Sequence, residues 1–245
     1  MSNPQERAFL ALWNSISSPR VALEYETWHT FEHVPERVGL PGFLQARRYR
    51  AVDEPTHYFT CYWVASLDTF STPEYQAVFT HPTPWSARMR LELRDFFRMP
   101  CTMGSIYGNS SASMLATLRL CSAAPAFVTH LDSCLRQMVN LGRFICAQWG
   151  LSAPSNDFPL PNVELGPAGS GQDFVIMLQH FDAQALRNST EALLQSVDVL
   201  VTSPVQTAYF ELLTQVRQDE LTNPLGERQP ARTNLFEIFN PKETL

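Results

Sequence analysis

Histidines and arginines gathered on one short segment are the first chemical signal in this chain. His29 and His33 stand four residues apart, with Arg37 four further on and Glu26 ahead of them. On a helix, Glu26, His29 or Thr30, His33 and Arg37 share one stripe, while Glu24, Trp28, Phe31, Pro35 and Val38 form the neighbouring stripe, which reads as the buried seam. Imidazole exchanges protons near neutral pH, so His33 is the candidate general acid or base. Arg37 and Arg47 offer planar guanidinium groups able to hold an enolate or carboxylate oxygen bidentately. The competing reading has His33 capping the last helical turn, favoured by the helix dipole, with Arg37 paired to Glu36 or Glu32 at the surface.

A pocket around this stripe would take its walls from Trp28, His29, Tyr49, Tyr62, Trp85 and Arg88. Arg47, Arg48 and Tyr49 lie on a strand, so either Arg48 alone or Arg47 together with Tyr49 faces the cavity. Phe43, Ala46 and Tyr49 do not share one parity, which leaves that choice open. Residues 29–33 also spell H-x-x-E-H, an inverted zincin pattern. With no third ligand identifiable and Pro35 set to shorten the helix, no metal is expected. The sole lysine is Lys242, so a buried Schiff-base or P-loop lysine is excluded. GxSxG, GxGxxG and Walker patterns are absent from the sequence, against hydrolase and nucleotide chemistry.

Periodicity supplies the elements that must position these groups. An apolar run at Phe9–Trp13 reads as a strand, Val21–Val38 as a helix stopped by Gly39 and Pro41, and Phe43–Val52 with His57–Ala65 as a hairpin. A helix over Asp68–Phe79 and a strand within Arg88–Tyr107 complete the order β-α-β-β-α-β. After the small, polar stretch Gly108–Ser113 the order returns: strand Met114–Cys121, helix Ala126–Leu141, strands Phe144–Leu151 and Asp173–Phe181, helix Ala183–Val197, strand Thr207–Val216. The expected fold is α+β: two tandem ferredoxin-like (βαββαβ) units, residues 1–110 carrying the site and 111–222, followed by a tail, 223–245, that wraps the surface. The loop at 152–171 is rich in Pro, Gly and Ser and reads as a lid, a dimer arm or a disordered segment. Residues 58–65 are largely apolar on both alternating faces, so both faces of that strand should be covered, as in two sheets facing each other around a barrel.

The chain has 245 residues, 44% of them hydrophobic and 17% charged, enough for a sizeable core. Its net charge of −6 excludes a basic field for nucleic acid. No stretch reaches a membrane span, and nothing at the N-terminus reads as an export signal. Five widely spaced cysteines without a CxxC suit a reducing cytoplasm.

The segment Glu24–Val38, with Pro41-Gly42-Phe43 and Ala46-Arg47-Arg48-Tyr49, resembles proteins of the dimeric α/β-barrel superfamily. It is most similar to the EthD-like, or stress-responsive, branch, through a W-x-x-x-EH-x-PER helix, a PGF turn and an ARRY strand. Ser71–Tyr75 and Pro82–Trp85 extend the likeness, which covers roughly residues 8 to 100. The resemblance implies a pocket between the sheet and helices of a unit, used on hydrophobic or aromatic small molecules. It covers cofactor-free monooxygenases, isomerases, cyclases and haem enzymes, so it leaves the reaction open. A haem would need an axial histidine on a helix of the second unit; His130 is the one helical candidate, and nothing around it repeats a haem signature.

The resulting expectation is a cofactor-independent cytoplasmic enzyme acting on a hydrophobic, aromatic or lactone-like small molecule by proton transfer at carbon, as an isomerase, lyase or cyclase of aromatic catabolism. His33 would be the acid or base and Arg37 and Arg47 the oxyanion holders. The alternatives are a cofactor-free monooxygenase and a non-enzymatic small-molecule binder. A homodimer is expected, with a monomer feasible if the two units pair within one chain.

Overall fold

The computed structural model describes residues 8–153, 171–222 and 226–241. Eight strands carry the fold: β1 (Ala8–Ile16), β2 (Phe43–Ala51), β3 (His57–Val64), β4 (Leu93–Tyr107), β5 (Met114–Ser122), β6 (Cys146–Ser152), β7 (Gln172–His180) and β8 (Gln206–Arg217). They close into an antiparallel barrel of order β1-β3-β2-β8-β5-β7-β6-β4. Within that ring the first four strands run β4-β1-β3-β2 and the last four β8-β5-β7-β6, the same order twice. The halves are stitched by β2 on β8, where Ala46 pairs with Val216, and by β4 on β6, where Cys101 pairs with Ser152. Closure within one chain leaves no open sheet edge.

Helices lie outside the ring. The first is α1 (Ala22–Trp28), which passes through a π-helical turn, His29–His33, into α2 (Val34–Val38). Pro35 was set to shorten this helix, yet the helix continues to Val38. Proline has no N–H to return to the carbonyl four residues back and its ring crowds that carbonyl. The chain answers by widening the turn before it: Val34 N–H bonds the His29 carbonyl, five residues back. The wider turn also shifts the helix phase. Phe31, read as part of the seam, stands 50% exposed, whereas Tyr25, Trp28, His29, Glu32 and Glu36 are buried.

The helix expected over 68–79 is a 3₁₀ turn, Leu67–Ser71, followed by α3 (Pro73–Thr80). A further helix, α4 (Pro84–Arg90), occupies the start of the segment read as the fourth strand. Thr72 and Thr83 cap these helices through their hydroxyls, each followed by Pro at the first helical position. In the second half α5 (Phe127–Asn140) and α6 (Ala183–Val197) pack on β5 to β7, and a final helix, α7 (Thr233–Phe239), was not foreseen. Most of the 152–171 loop falls outside the described residues.

Three layers result. The barrel interior is filled by Phe9, Ala11, Tyr49, Phe59, Cys61, Trp63, Met99, Leu115, Val175, Met177 and Phe210, so both faces of β3 are covered and the lumen is a packed core rather than a wide cavity. Between sheet and helices of the second half lies an apolar core around Leu118, Phe127, Leu131, Phe174 and Leu186. Its counterpart in the first half, around Leu10, Val38, Phe43, Tyr62 and Val78 and then Tyr25, Trp28, Tyr58, Trp85 and Met89, contains the polar cluster described next.

Candidate functional site

Alternation along the strands selects which side chains meet the π turn. Arg48 pairs in register with Thr60, and Ala46 with Tyr62, so Arg48, Thr60 and Tyr62 face the helix. The turn above them presents His29 and His33. Because the turn is wide, residues four apart lie almost over one another: the two imidazoles stack at 4.7 Å with a 21° interplanar angle. Tyr25 stacks on His29 at 5.2 Å and Trp28 packs against His33 at 4.3 Å. Trp28 is fixed by its indole N–H to the Ser86 hydroxyl, 3.2 Å.

Arg48 is almost wholly buried and spans the gap. One of its Nη groups donates to the Thr30 hydroxyl and the Glu26 carbonyl, and its guanidinium lies over the Tyr25 ring at 5.7 Å. Arg37 donates to the His33 carbonyl at 3.1 Å and to Glu36 at 2.9 Å. The charges of Arg37 and Arg48 reach both imidazoles. Burial first, then Arg48 and Arg37, hold His29 well below the usual imidazole value. Burial first, then Arg37 and the facing His29, do the same to His33, part of whose surface remains at solvent while its Nδ1 is enclosed. Both imidazoles are neutral at neutral pH. Burial likewise raises the Tyr62 hydroxyl, keeping it protonated.

Five polar atoms in this cluster are buried without a hydrogen-bond partner: Nδ1 of His29, Nδ1 of His33, Nη2 of Arg48, Oγ1 of Thr60 and the Tyr62 hydroxyl. Each such atom costs about 1–3 kcal/mol, so five in one layer are the feature of this region that packing does not explain. Arg48 Nη2, Thr60 and Tyr62 are hydrogen-bond donors lacking an acceptor, and a neutral imidazole can accept a proton.

Of the residues singled out from sequence, Trp28, His29, His33, Arg37 and Tyr62 are brought together. Arg47 and Tyr49 are not: they face the barrel interior, Arg47 over the Trp63 ring at 5.3 Å, so Arg48 takes the place Arg47 was given. Trp85 and Arg88 lie at the start of the helix, where both hold Glu24, Trp85 by its indole N–H at 3.1 Å and Arg88 at 3.3 Å. Arg48 and Thr60 were the residues not singled out. The strand alternation that made Arg48 one of two options was their only signal.

Three buried carboxylates on the same helix bind the tail. Glu36 accepts from Arg228 at 2.6 Å, Glu32 from the Arg232 N–H at 2.6 Å and from Thr83, and Glu24 from Asn240 at 3.0 Å. The described tail, 226–241, therefore runs antiparallel along the helix, with Phe236 and Phe239 against Trp85. Glu32 is consumed by these bonds, which removes the glutamate from the H-x-x-E-H reading. Among the described residues no group of three or more His, Cys, Asp or Glu is placed to hold a metal. His130 is exposed and its Nε2 bonds the Ser196 carbonyl at 2.9 Å, so it does not fit a buried axial haem ligand.

No family model and no curated protein sequence matches the chain. Solved structures do match. An anthrone oxidase-like protein aligns with a TM-score of 0.66 at 9% identity, over 92% of this chain and 99% of its own. A candidate monooxygenase from Lactobacillus acidophilus aligns at 0.56 with 8% identity, over 87% of this chain and 97% of its own. Another from Fusobacterium nucleatum aligns at 0.57 with 8% identity, over 87% and 95%. No helix among the described residues is long and apolar enough to cross a membrane. With its closed ring of eight antiparallel strands and helices outside, the chain has the dimeric α/β-barrel fold.

Proposed function

We propose that this chain is a cofactor-independent enzyme that removes a proton from carbon in a hydrophobic or aromatic carbonyl compound, with its site in the 1–110 unit. We read 1–110 and 111–222 as tandem ferredoxin-like units, each with the strand order 4-1-3-2. The observation that carries the reading is the set of unpartnered donors beside two neutral imidazoles under the π turn. An imidazole of low basicity is a sufficient base only if the carbon acid is made stronger. Arg48, Thr60 and Tyr62 do this by stabilising the oxygen that becomes negative as the proton leaves.

The His33 imidazole takes the proton, the C–H electron pair moves into the adjacent carbon–carbon bond, and the carbonyl oxygen becomes an enolate oxygen bound by Arg48. Return of the proton to a different carbon isomerises the substrate. A second reading is favoured by the likeness to an anthrone oxidase-like protein and a candidate monooxygenase. In it the enolate carbon adds to O2, reducing it to a carbon-bound peroxide anion, the imidazolium protonates that anion to the hydroperoxide, and loss of the remaining hydrogen on that carbon with cleavage of the O–O bond releases water and leaves a new carbonyl. Both begin with the same deprotonation. Ring closure that single-unit chains would need a partner for is internal here, so the site does not require a homodimer.

The test reads the shared step. Anthrone, a hydroquinone and a β,γ-unsaturated ketone are incubated with protein in D2O; exchange at carbon is followed by NMR and oxygen uptake in parallel. Exchange in wild type that falls by about 10²-fold or more in folded His33→Gln and Arg48→Met variants supports the reading. Unchanged exchange in both variants refutes it, and oxygen uptake divides the two routes.

A further inference from the structure

Arg47, displaced from the histidines by strand alternation, lies in a pocket of its own at one mouth of the barrel. The pocket holds a cavity of about 40 Å³ lined by Gln45, Arg47, Gln148 and Gln179 on the strands, Cys146, and the loop 108–111 that joins the two halves. Gly108 adopts φ +96°, and a Cβ there would lie 2.1 Å from the Ile145 carbonyl oxygen, so glycine lets this loop close over the mouth.

The lining is cationic and donor-rich. Of the five guanidinium N–H groups of Arg47, the Nε–H bonds Gln215 at 3.0 Å, and no ion pair with a carboxylate is formed by Arg47 among the described residues. The plane rests on Trp63. Gln179 has its oxygen occupied by the Ala112 N–H at 3.0 Å, which leaves its amino group as a donor. Ser110 and Ser111 add hydroxyls. At roughly 10–15 Å³ per water-sized site, the cavity has room for about three heavy atoms. A carboxylate matches that size and lining, with three heavy atoms of which two are acceptor oxygens able to face a guanidinium edge.

We propose that the barrel mouth binds the carboxylate end of a small organic acid, with Arg47 as its counter-ion and the 108–111 loop as its cover. The site lies on the opposite face of the sheet from His29 and His33, so it stands or falls independently of the acid–base reading. Cys146 at its edge is a built-in reporter. Burial pushes its thiol up and Arg47 pulls against that.

Two measurements on the full chain test the proposal. Thermal unfolding is followed as acetate replaces chloride at constant ionic strength, with phosphate as a bulkier anion. Alkylation of Cys146 by iodoacetate and by iodoacetamide is followed by peptide mass spectrometry. Acetate should raise the melting temperature where chloride does not and protect Cys146. The iodoacetate-to-iodoacetamide rate ratio should fall about tenfold in Arg47→Gln, with Arg47→Lys retaining part of it. Stabilisation by phosphate but not acetate would overturn the carboxylate assignment. Equal effects of acetate and chloride, or an unchanged alkylation ratio in a folded Arg47→Gln variant, would overturn the site.

Discussion

Acidification should destabilise this protein earlier than its carboxylates alone would allow, and the amount follows from two side chains. His29 and His33 are held well below the ordinary imidazole value in the folded chain, chiefly by burial and then by Arg48 and Arg37. A depressed folded value means that the unfolded chain binds more protons between that value and about 6.5, so stability is full above 6.5 and lost as pH falls. From pH 7 to 5.5 each histidine that stays neutral in the folded chain costs on the order of 1 kcal/mol, and the pair about 2–3 kcal/mol. For a chain of this size that is a drop of roughly 5–10 °C in melting temperature. Urea and thermal unfolding at pH 7.0, 6.5, 6.0 and 5.5 measure it, with His29→Gln and His33→Gln each expected to remove about half the slope. A flat profile across this window, or an unaltered slope in both variants, would show that the imidazoles are not buried neutral and would undo the base assignment with it.

Removing the charge beneath the imidazoles should shift them in the opposite sense: Arg48→Met should raise both histidine pKa values toward 6.5, read from imidazole proton NMR titration, and unmoved titrations would place Arg48 away from them. Arg228→Ala leaves buried Glu36 with Arg37 alone; about 1–3 kcal/mol of stability should be lost. Faster proteolysis within 226–241 should accompany it, and an unchanged digestion pattern would show that the Arg228–Glu36 pair does not hold the tail to the helix. In Gly104→Ala the new Cβ would sit 2.3 Å from the Trp149 ring, which should cost about 1–3 kcal/mol. Displacement of the Trp149 N–H from Asp132 should shift tryptophan fluorescence, and a silent substitution would mean that the Trp149 ring moves aside from β4 at no cost.

The element order was legible because strand alternation, helix spacing and Gly or Pro punctuation agree along most of the chain. The faces of β2 were not. A bulge between Phe43 and Gln45 inserts a residue, so Phe43 and Ala46 both meet the helix core despite their odd spacing, and parity counted from Phe43 points the wrong way at Arg47. The buried seam was misread at Phe31, which stands inside the π turn and points to solvent, while Trp28 before the turn and Val38 after it are buried as read. Glu32 and Glu36 were read as surface partners of Arg37, and Glu24 fell in the seam with no partner assigned; their partners Arg232, Arg228 and Asn240 lie some two hundred residues away, beyond any local pattern. Helix α4 carried the same Thr-Pro start as α3 and could have been found by comparing the two.

The second half of the chain serves as an internal control on the site. It repeats the strand order of the first, and α5 covers its sheet with Phe127, Leu131, Leu135 and Met138, an apolar seam with no imidazole or guanidinium in it. The architecture is therefore satisfied by hydrophobic contacts alone. In the first half the corresponding layer holds two stacked histidines, a buried arginine, a π turn and five unpartnered polar atoms, each of them costly. The same helix is also tied down by three buried carboxylates to the tail, an anchorage that α5 does without. Packing does not demand these features; the proposed deprotonation would use them together, the imidazole as base and the unpartnered donors as holders of the oxygen.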